Sequence, residues 1–278
     1  MTPAARVVVV IPCFRDGPLA EEAVSSIQEE EPVEVVVVDD HSTDPRTDAA
    51  LARLEAGGVT VVRHEHNLGP AKARLSGMRA STAPYVFPLD SDDHAVPGAL
   101  ARMADVLDAD PGAGVCFGDY VEFGDSEVIR AVPTELDPYR LAYTNEYPVS
   151  SMYRRALLEE VGGWPTMLGY EDWHLWMTFA ERGVTALHLG PGVPTYRRRL
   201  HGDRLLTASK SVHPQLYAHL RKDHPGLFGD IAAHRERSPL GRVRKVLYPI
   251  VYGSRRRYGW ERRVKSLLDR AGIWTLRR

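Results

Sequence analysis

The chain has 278 residues, of which 44% are hydrophobic and 26% charged, a composition typical of a globular protein with one large or two modest domains. Its only cysteines, Cys13 and Cys116, exclude a disulfide scaffold and a cysteine zinc cluster. The formal charge of −2 conceals an uneven distribution, because residues 219–278 hold 16 Lys and Arg against 5 Asp and Glu, whereas residues 1–218 hold 19 against 32.

The first hundred residues alternate between short β-branched runs and segments with helical spacing. The runs predict strands at Val7–Ile11, Val33–Val38, Val59–Arg63 and Tyr85–Leu89. Helices are predicted at Pro18–Glu29, Pro45–Ala56, Pro70–Ser81 and Pro97–Leu107. Wholly apolar strands separated by helices indicate a parallel sheet covered on both faces. Ligands bind at the carboxyl ends of such strands, so function is expected there.

From residue 113 the pattern becomes mixed. A hairpin is predicted from Gly114–Phe123 and Glu127–Val132, turning at Gly124 and Asp125. Further strands are predicted at Val149–Tyr153, Val184–Leu189 and Thr195–Leu200, with a helix at Glu171–Arg182. Beyond residue 211, prolines at 214, 225, 239 and 249 predict broken helical fragments. The predicted fold class is α/β with a mixed second half and a helical, basic C-terminal extension.

Two acidic segments follow predicted strands. Asp39 and Asp40 end the second strand, and either Thr43 or Asp44 can cap the helix that Pro45 opens. The fourth strand leads into Leu89-Asp90-Ser91-Asp92-Asp93. This second segment is either a solvated turn that caps the next helix or a set of hard oxygen ligands suited to Mg²⁺ or Mn²⁺.

Two later segments also contain residues that can take part in catalysis. Asp172 lies in the first turn of a predicted helix, where an acidic residue either serves the helix dipole and cap or, held ionised by that dipole, acts as a general base. Its aromatic neighbours Tyr170, Trp173 and Trp176 suggest a pocket wall. In the strand at 195–200, alternation places Arg197 and Arg199 on one face and Arg198 on the other.

In combination, these segments resemble the glycosyltransferase family 2 pattern on a GT-A fold. The matching segments are Ile11-Pro12, Val36 to Asp44, Asn67-Leu68-Gly69 with Ala73-Arg74, Leu89 to Asp93, Glu171-Asp172, and Tyr196-Arg197 with His201. They occur in the family's order and span residues 6–207. His41 stands where glycine is frequent in the family. The resemblance implies a mostly parallel central sheet with helices on both faces.

The resemblance also implies roles for individual residues. Asp40 would accept a hydrogen bond from the nucleotide base, in a pocket lined by Pro12 and Phe14. Arg74 would lie beside the nucleotide and its diphosphate. Asp90, with Ser91, would face the ribose or the metal.

The remaining roles concern the cation and the reaction. Asp92 would ligate the divalent cation, Mn²⁺ or Mg²⁺, and His201 matches a late histidine that approaches the metal or diphosphate. Asp172 matches the catalytic base of inverting members. The resemblance thus implies a metal-dependent inverting transferase that moves a sugar from a nucleotide-diphosphate sugar to an acceptor hydroxyl. That acceptor would be a sugar, a lipid-linked sugar or a small molecule, in the biosynthesis of a cell-surface polysaccharide, glycolipid or glycoside.

The predicted domains are a GT-A domain at 1–218, with a nucleotide-binding half at 1–110 and an acceptor-binding half at 111–218, and a basic extension at 219–278. No apolar run reaches the ~18 residues that span a bilayer, and no signal-peptide core opens the chain. We therefore expect a cytoplasmic protein whose tail contacts the inner face of the membrane or a second copy. Nucleic acid is not expected as a partner. The alternative is a non-catalytic nucleotide- or phosphate-binding scaffold with a tail that binds nucleic acid or membrane.

Overall fold

The computed structural model describes residues 4–124, 126–167, 169–200, 212–252 and 267. The strands are β1 (Val7–Cys13), β2 (Val33–Asp39), β3 (Thr60–Arg63), β4 (Tyr85–Pro88), β5 (His94–Ala95), β6 (Ala113–Phe117), β7 (Asp119–Phe123), β8 (Val128–Arg130), β9 (Met152–Arg154), β10 (Thr185–His188) and β11 (Pro194–Arg199). Seven of them form one sheet in the order β10–β6–β9–β4–β1–β2–β3, in which only β9 is antiparallel to its neighbours. The other four form a second sheet in the order β5–β11–β7–β8.

Helices connect most of the strands. They are α1 (Gly17–Ser25), α2 (Pro45–Ala56), α3 (Pro70–Arg79), α4 (Ala99–Ala109), α5 (Pro138–Leu141), α6 (Arg155–Val161), α7 (Glu171–Glu181), α8 (His213–Asp223), α9 (Pro225–Gly229), α10 (Ile231–Arg237) and α11 (Arg242–Tyr252). The bounds predicted for α2 are confirmed, because Pro45 stands in its first turn and Asp44 caps it. The predicted α/β fold class is likewise confirmed.

The large sheet is covered on both faces, as its apolar strands require. Odd-numbered residues of β1, such as Val9 and Ile11, join a buried cluster with side chains of α1, α2 and α4. On the opposite face α3 lies so close to the sheet that a Cβ at Gly77 would collide with Val10. Alternation along one strand therefore supplies two separate packing surfaces.

The predicted hairpin is confirmed, but the prediction of one continuous strand at 114–123 is wrong. The strand is interrupted at Gly118, so that β6 belongs to the large sheet and β7 to the small one. A Cβ at Gly118 would lie 2.7 Å from the side chain of Thr195 and from the carbonyl of Val193. Backbone and side chain pack too closely here for any residue but glycine.

The predicted break at Pro249 is also wrong, because α11 continues through it. Proline has no N–H, which leaves the carbonyl of Lys245, four residues earlier, without its usual helical donor. The hydroxyl of Tyr139 donates to that carbonyl at 2.5 Å. A tertiary hydrogen bond thus replaces the missing helical one.

The described residues fall into two compact units. The first is drawn from Met1–Thr134, Pro148–Thr166 and Thr185–His201 and contains both sheets. The second is drawn from Glu135–Tyr147, Met167–Val184 and Gly202–Arg278, and its core includes Tyr139, Leu240, Tyr248 and Val251. The domain boundaries at 110 and 218 stay predictions. Among the described residues, no helix has the length and apolar character needed to cross a membrane.

Candidate functional site

The carboxyl ends of β1, β2 and β3 lie side by side in the first unit. The strand register pairs Cys13 with Asp39 and Asp39 with Arg63. The residues just beyond these strands therefore gather at one edge of the sheet. They include Asp40 and His64, whose backbone N–H groups donate to the carbonyls of Cys13 and Asp39.

Asp40 is buried and its carboxylate accepts hydrogen bonds from three donors. Its Oδ1 accepts from the backbone N–H of Leu68 at 2.8 Å and lies 2.7 Å from His64 Nδ1. Its Oδ2 accepts from the backbone N–H of Gly69 at 2.7 Å. The other ring nitrogen of His64 lies 2.8 Å from the hydroxyl of Ser76. Asp40 therefore fixes the turn that leads into α3; its contact with a nucleotide base stays a prediction.

The second acidic segment follows β4, whose last backbone pairing joins the N–H of Leu89 to the carbonyl of Val10 at 2.9 Å. Here Asp90, Asp92 and Asp93 each place a carboxylate oxygen within 4.8 Å of the others. Ser91, between them, is buried. The capping alternative is excluded for this segment, since α4 begins after Gly98 and the N–H groups of its first turn donate to Glu29.

Two arginines offset part of this negative charge. The side chain of Arg74, from α3, is only 4% exposed and lies 2.8 Å from Asp90. Arg199, at the end of β11, donates from its backbone to Asp93 at 2.9 Å and from its guanidinium to the carbonyl of Asp92 at 3.0 Å. The Arg199 guanidinium also pairs with Glu22, so the three carboxylates keep an excess of negative charge. Such a set of hard oxygen donors fits a divalent cation.

Arg199 reaches the acidic segment because β5 and β11 pair, placing His94 opposite Arg197. The Arg199 guanidinium also donates to His94 Nε2 at 3.0 Å. Burial and the nearby Arg199 charge lower the pKa of His94 below its usual range. The ring is therefore held neutral as an acceptor, and it positions the arginine.

The predicted alternation along β11 is confirmed. Arg197 and Arg199 both lie over the ring of Phe123, with guanidinium carbons 5.0 and 4.8 Å from its centroid. Arg198 lies on the other face, 4.6 Å from the centroid of Tyr120.

The turn after β1 presents an aromatic side chain at the same sheet edge. Phe14 is 41% exposed, with the Arg15 guanidinium 5.0 Å from its ring centroid. Pro12 is half-buried at the end of β1, and Cys13 is buried. Burial raises the pKa of the Cys13 thiol to about 12, so it stays protonated and unreactive at neutral pH. The exposed ring offers a stacking surface.

Asp172 lies in the second unit, in the first turn of α7. Its Oδ1 accepts from the backbone N–H of Trp173 at 2.7 Å, and its Oδ2 accepts from the side-chain amide of Asn145 at 2.9 Å. The preceding Tyr170 takes a left-handed backbone conformation, with φ of 65°. Both carboxylate oxygens of Asp172 are therefore held in place at the start of the helix.

The interpretation of the neighbouring aromatic residues as a pocket wall is wrong for two of them. Trp176 is fully buried against Tyr147 and Phe179. Trp173 is also buried, and its indole N–H donates to the carbonyl of Leu141 at 2.8 Å. These rings form the core of the second unit because α7 is apolar on more than one face. His201 lies outside the described residues, so its predicted role stays a prediction.

Comparison with known proteins settles the family. The family model described as glycosyl transferase family 2 matches residues 8–162, more than half of the chain. The chain belongs to glycosyl transferase family 2. The matched range contains the Asp40 turn, Arg74 and the whole acidic segment after β4, so the predicted family resemblance is confirmed.

Curated relatives of this family 2 chain align over parts of their length. This chain is 41% identical over 86 residues to the succinoglycan biosynthesis protein ExoU of Rhizobium meliloti, and 38% identical over 94 residues to the succinoglycan biosynthesis protein ExoO of the same organism. These matches cover 31% and 34% of this chain and a quarter of each relative's length. An uncharacterized glycosyltransferase of Haemophilus influenzae is 25% identical over 173 residues, which cover 59% of this chain and 64% of that protein.

Solved structures share the fold at low sequence identity. S. aureus TarS in complex with UDP-GlcNAc superimposes with a TM-score of 0.66 at 21% identity, over 97% of this chain and 78% of that one. The mannosyltransferase PcManGT from Pyrobaculum calidifontis, in complex with GDP-Man and Mn²⁺, superimposes with a TM-score of 0.60 at 22% identity. This match covers 98% of this chain and 86% of that one. The predicted GT-A fold is thereby confirmed.

Sequence reasoning missed His64, left Asp93 open between a turn residue and a cation ligand, and placed Arg199 only on a face of its strand. His64 stands directly after β3, so its place at a strand's carboxyl end was a usable signal. The contact between Arg199 and Asp93 spans 106 positions in the chain and left no local signal.

Proposed function

We propose that this chain is a glycosyltransferase that moves a sugar from a nucleotide-diphosphate sugar to an acceptor hydroxyl, with inversion at the anomeric carbon. The observation that carries the proposal is the acidic group of Asp90, Asp92 and Asp93, with Arg74 against it, at the carboxyl edge of a parallel sheet. Ligands of such sheets bind at this edge. Family membership and the donors named in the two structural neighbours, UDP-GlcNAc and GDP-Man, support the same class of substrate.

In this proposal Asp92 and His201, together with Asp90, hold Mn²⁺ or Mg²⁺. The bound cation would neutralise the charge that develops on the departing diphosphate. Arg74 adds a fixed positive charge from its buried position beside Asp90. Phe14 and Pro12 offer apolar surface to the base, and Ser91 offers a hydroxyl close to the carboxylates. These residues bind and orient the donor.

Asp172 is proposed as the base that takes the proton of the acceptor hydroxyl as that oxygen attacks the anomeric carbon. The amide of Asn145 holds one carboxylate oxygen and the Trp173 N–H holds the other, which fixes the direction of the lone pairs. A single displacement of this kind inverts the configuration. For the acceptor class, the names of the succinoglycan relatives favour a growing polysaccharide over a small molecule.

A thermal-shift panel tests the donor half of the proposal. Nucleoside diphosphates are added with and without Mn²⁺, and one of them should raise the melting temperature only when Mn²⁺ is present. A ligand at about 100 times its Kd stabilises by ~2.7 kcal/mol, which is readily measured. Asp92→Asn should keep the ligand-free melting temperature and lose the Mn²⁺-dependent part. If no nucleotide shifts the wild-type protein, the scaffold alternative is favoured.

The catalytic half is tested by Asp172→Asn, with Asp230→Asn as the matched control. Asp230 is an exposed carboxylate of the same unit with no capping hydrogen bond from its side chain. We expect Asp172→Asn to keep the nucleotide shift but lose transfer by about 10²-fold or more, whereas Asp230→Asn transfers normally. Full turnover by Asp172→Asn would overturn the assignment. NMR of the product's anomeric configuration tests inversion.

A further inference from the structure

Helix α11 exposes a row of aliphatic side chains. Val243, Val246 and Ile250 are 62%, 54% and 56% exposed. Their spacing of three and then four residues places them on one face of the helix, within about a sixth of its circumference. Three aliphatic side chains aligned on one helix face form a candidate contact surface.

The opposite face of α11 holds the helix to its own unit. Tyr248 and Val251 are almost fully buried and join a cluster with Tyr139 and Leu240. The helix is thus anchored through one face while the aliphatic face points away from that cluster. The exposed residues can therefore be replaced by polar ones without disturbing this core.

Helix α11 and the segment before it carry an excess of positive charge. Arg242 flanks the aliphatic stripe, whereas Arg244 and Lys245 lie about 130° from its centre. Residues 231–252 hold five basic side chains and one acidic one, and residues 253–278 add nine against two in the sequence. An aliphatic stripe on a basic helix matches the headgroup and upper acyl region of an anionic bilayer.

We propose that α11 docks on an anionic lipid surface, with Val243, Val246 and Ile250 inserted, Arg242 on the headgroups and the net positive charge of residues 231–252 attracting the helix to that surface. A second copy of the chain fits less well, because three half-exposed side chains supply far less than the ~800 Å² per partner that a stable dimer buries. Nucleic acid fits less well still, because an aliphatic stripe offers its bases no stacking surface. This membrane contact is independent of the proposed sugar transfer.

Vesicle co-sedimentation of the full chain tests the proposal. Vesicles of phosphatidylcholine with phosphatidylglycerol are compared with vesicles of phosphatidylcholine alone, at low and high salt. The chain should pellet with the anionic vesicles and be released by salt. The triple variant V243S/V246S/I250S should lower the partition coefficient by about tenfold or more. The double variant V128S/I129S, which removes exposed aliphatic residues from β8 instead, should bind within about twofold of wild type.

Three results would overturn the proposal. The first is a wild-type chain that stays in the supernatant with anionic vesicles. The second is a triple variant that binds as wild type does while its circular dichroism shows a native fold. The third is a concentration-dependent dimer, seen by light scattering, that the triple variant abolishes while vesicle binding is absent; this would assign the face to a second copy. None of these readouts depends on transfer activity.

Discussion

Replacing the buried carboxylate of Asp40 by an amide should detach the turn that leads into α3. In the wild-type protein both carboxylate oxygens accept, from Leu68 N–H, Gly69 N–H and His64. Asp40→Asn keeps the shape of the side chain but turns one of its two acceptors into a donor. In the less damaging orientation, the new NH₂ group faces the Gly69 N–H, and that half-buried donor loses its partner.

The magnitude follows from these contacts. A hydrogen bond to a charged group contributes about 1.5–3 kcal/mol. The Asn side chain retains one acceptor for Leu68 and His64, and water can reach the freed N–H of the half-buried Gly69. We therefore expect Asp40→Asn to lower the free energy of unfolding by about 1.5–3 kcal/mol. Urea unfolding followed by circular dichroism measures this change.

Asp44→Asn is the matched control, since it makes the same chemical change four positions further along the chain. Asp44 accepts a single hydrogen bond, from Thr47 N–H at 2.9 Å, and asparagine caps helices equally well. Its unfolding midpoint should stay close to that of wild type. If Asp40→Asn also unfolds at the wild-type midpoint, the carboxylate does not hold the turn and the reasoning from its three donors fails.

Two further predictions concern the second unit. Tyr139→Phe removes the hydroxyl that donates to the carbonyl of Lys245, four residues before Pro249. It should therefore lower the free energy of unfolding by about 1–3 kcal/mol, and an unchanged urea midpoint would contradict this. Burial, together with the neighbouring His224, lowers the pKa of His174 below its usual range. The unfolded state therefore binds more protons than the folded state near pH 6. The contribution of His174 to the free energy of unfolding is complete above the unfolded pKa of about 6.5 and is lost as the pH falls below it. Urea midpoints between pH 5 and 8 should rise with pH for wild type and rise less steeply for His174→Gln.

The sequence determined the features that local patterns encode. The apolar runs of β1, β2 and β4, separated by helical segments, predicted strands of a sheet covered on both faces, and the proline and cap at the start of α2 fixed where that helix begins. The acidic segment after β4 was visible because three carboxylates in four positions are costly without a compensating cation or donors. Fold class and family follow from signals of this kind, in which neighbours along the chain act together.

Only the tertiary structure decided which of two local alternatives applied. Asp44 caps α2, whereas Asp90 caps nothing and instead meets Arg74 and the other carboxylates of its segment. Glycine at 118 ends a strand because of what packs against it, and Pro249 leaves α11 unbroken because Tyr139 supplies the donor that the helix lacks. In each case the outcome depends on a group distant in sequence, whose position is set by sheet pairing and core packing. Local propensity is too weak to specify such contacts, so they arise only when the chain folds.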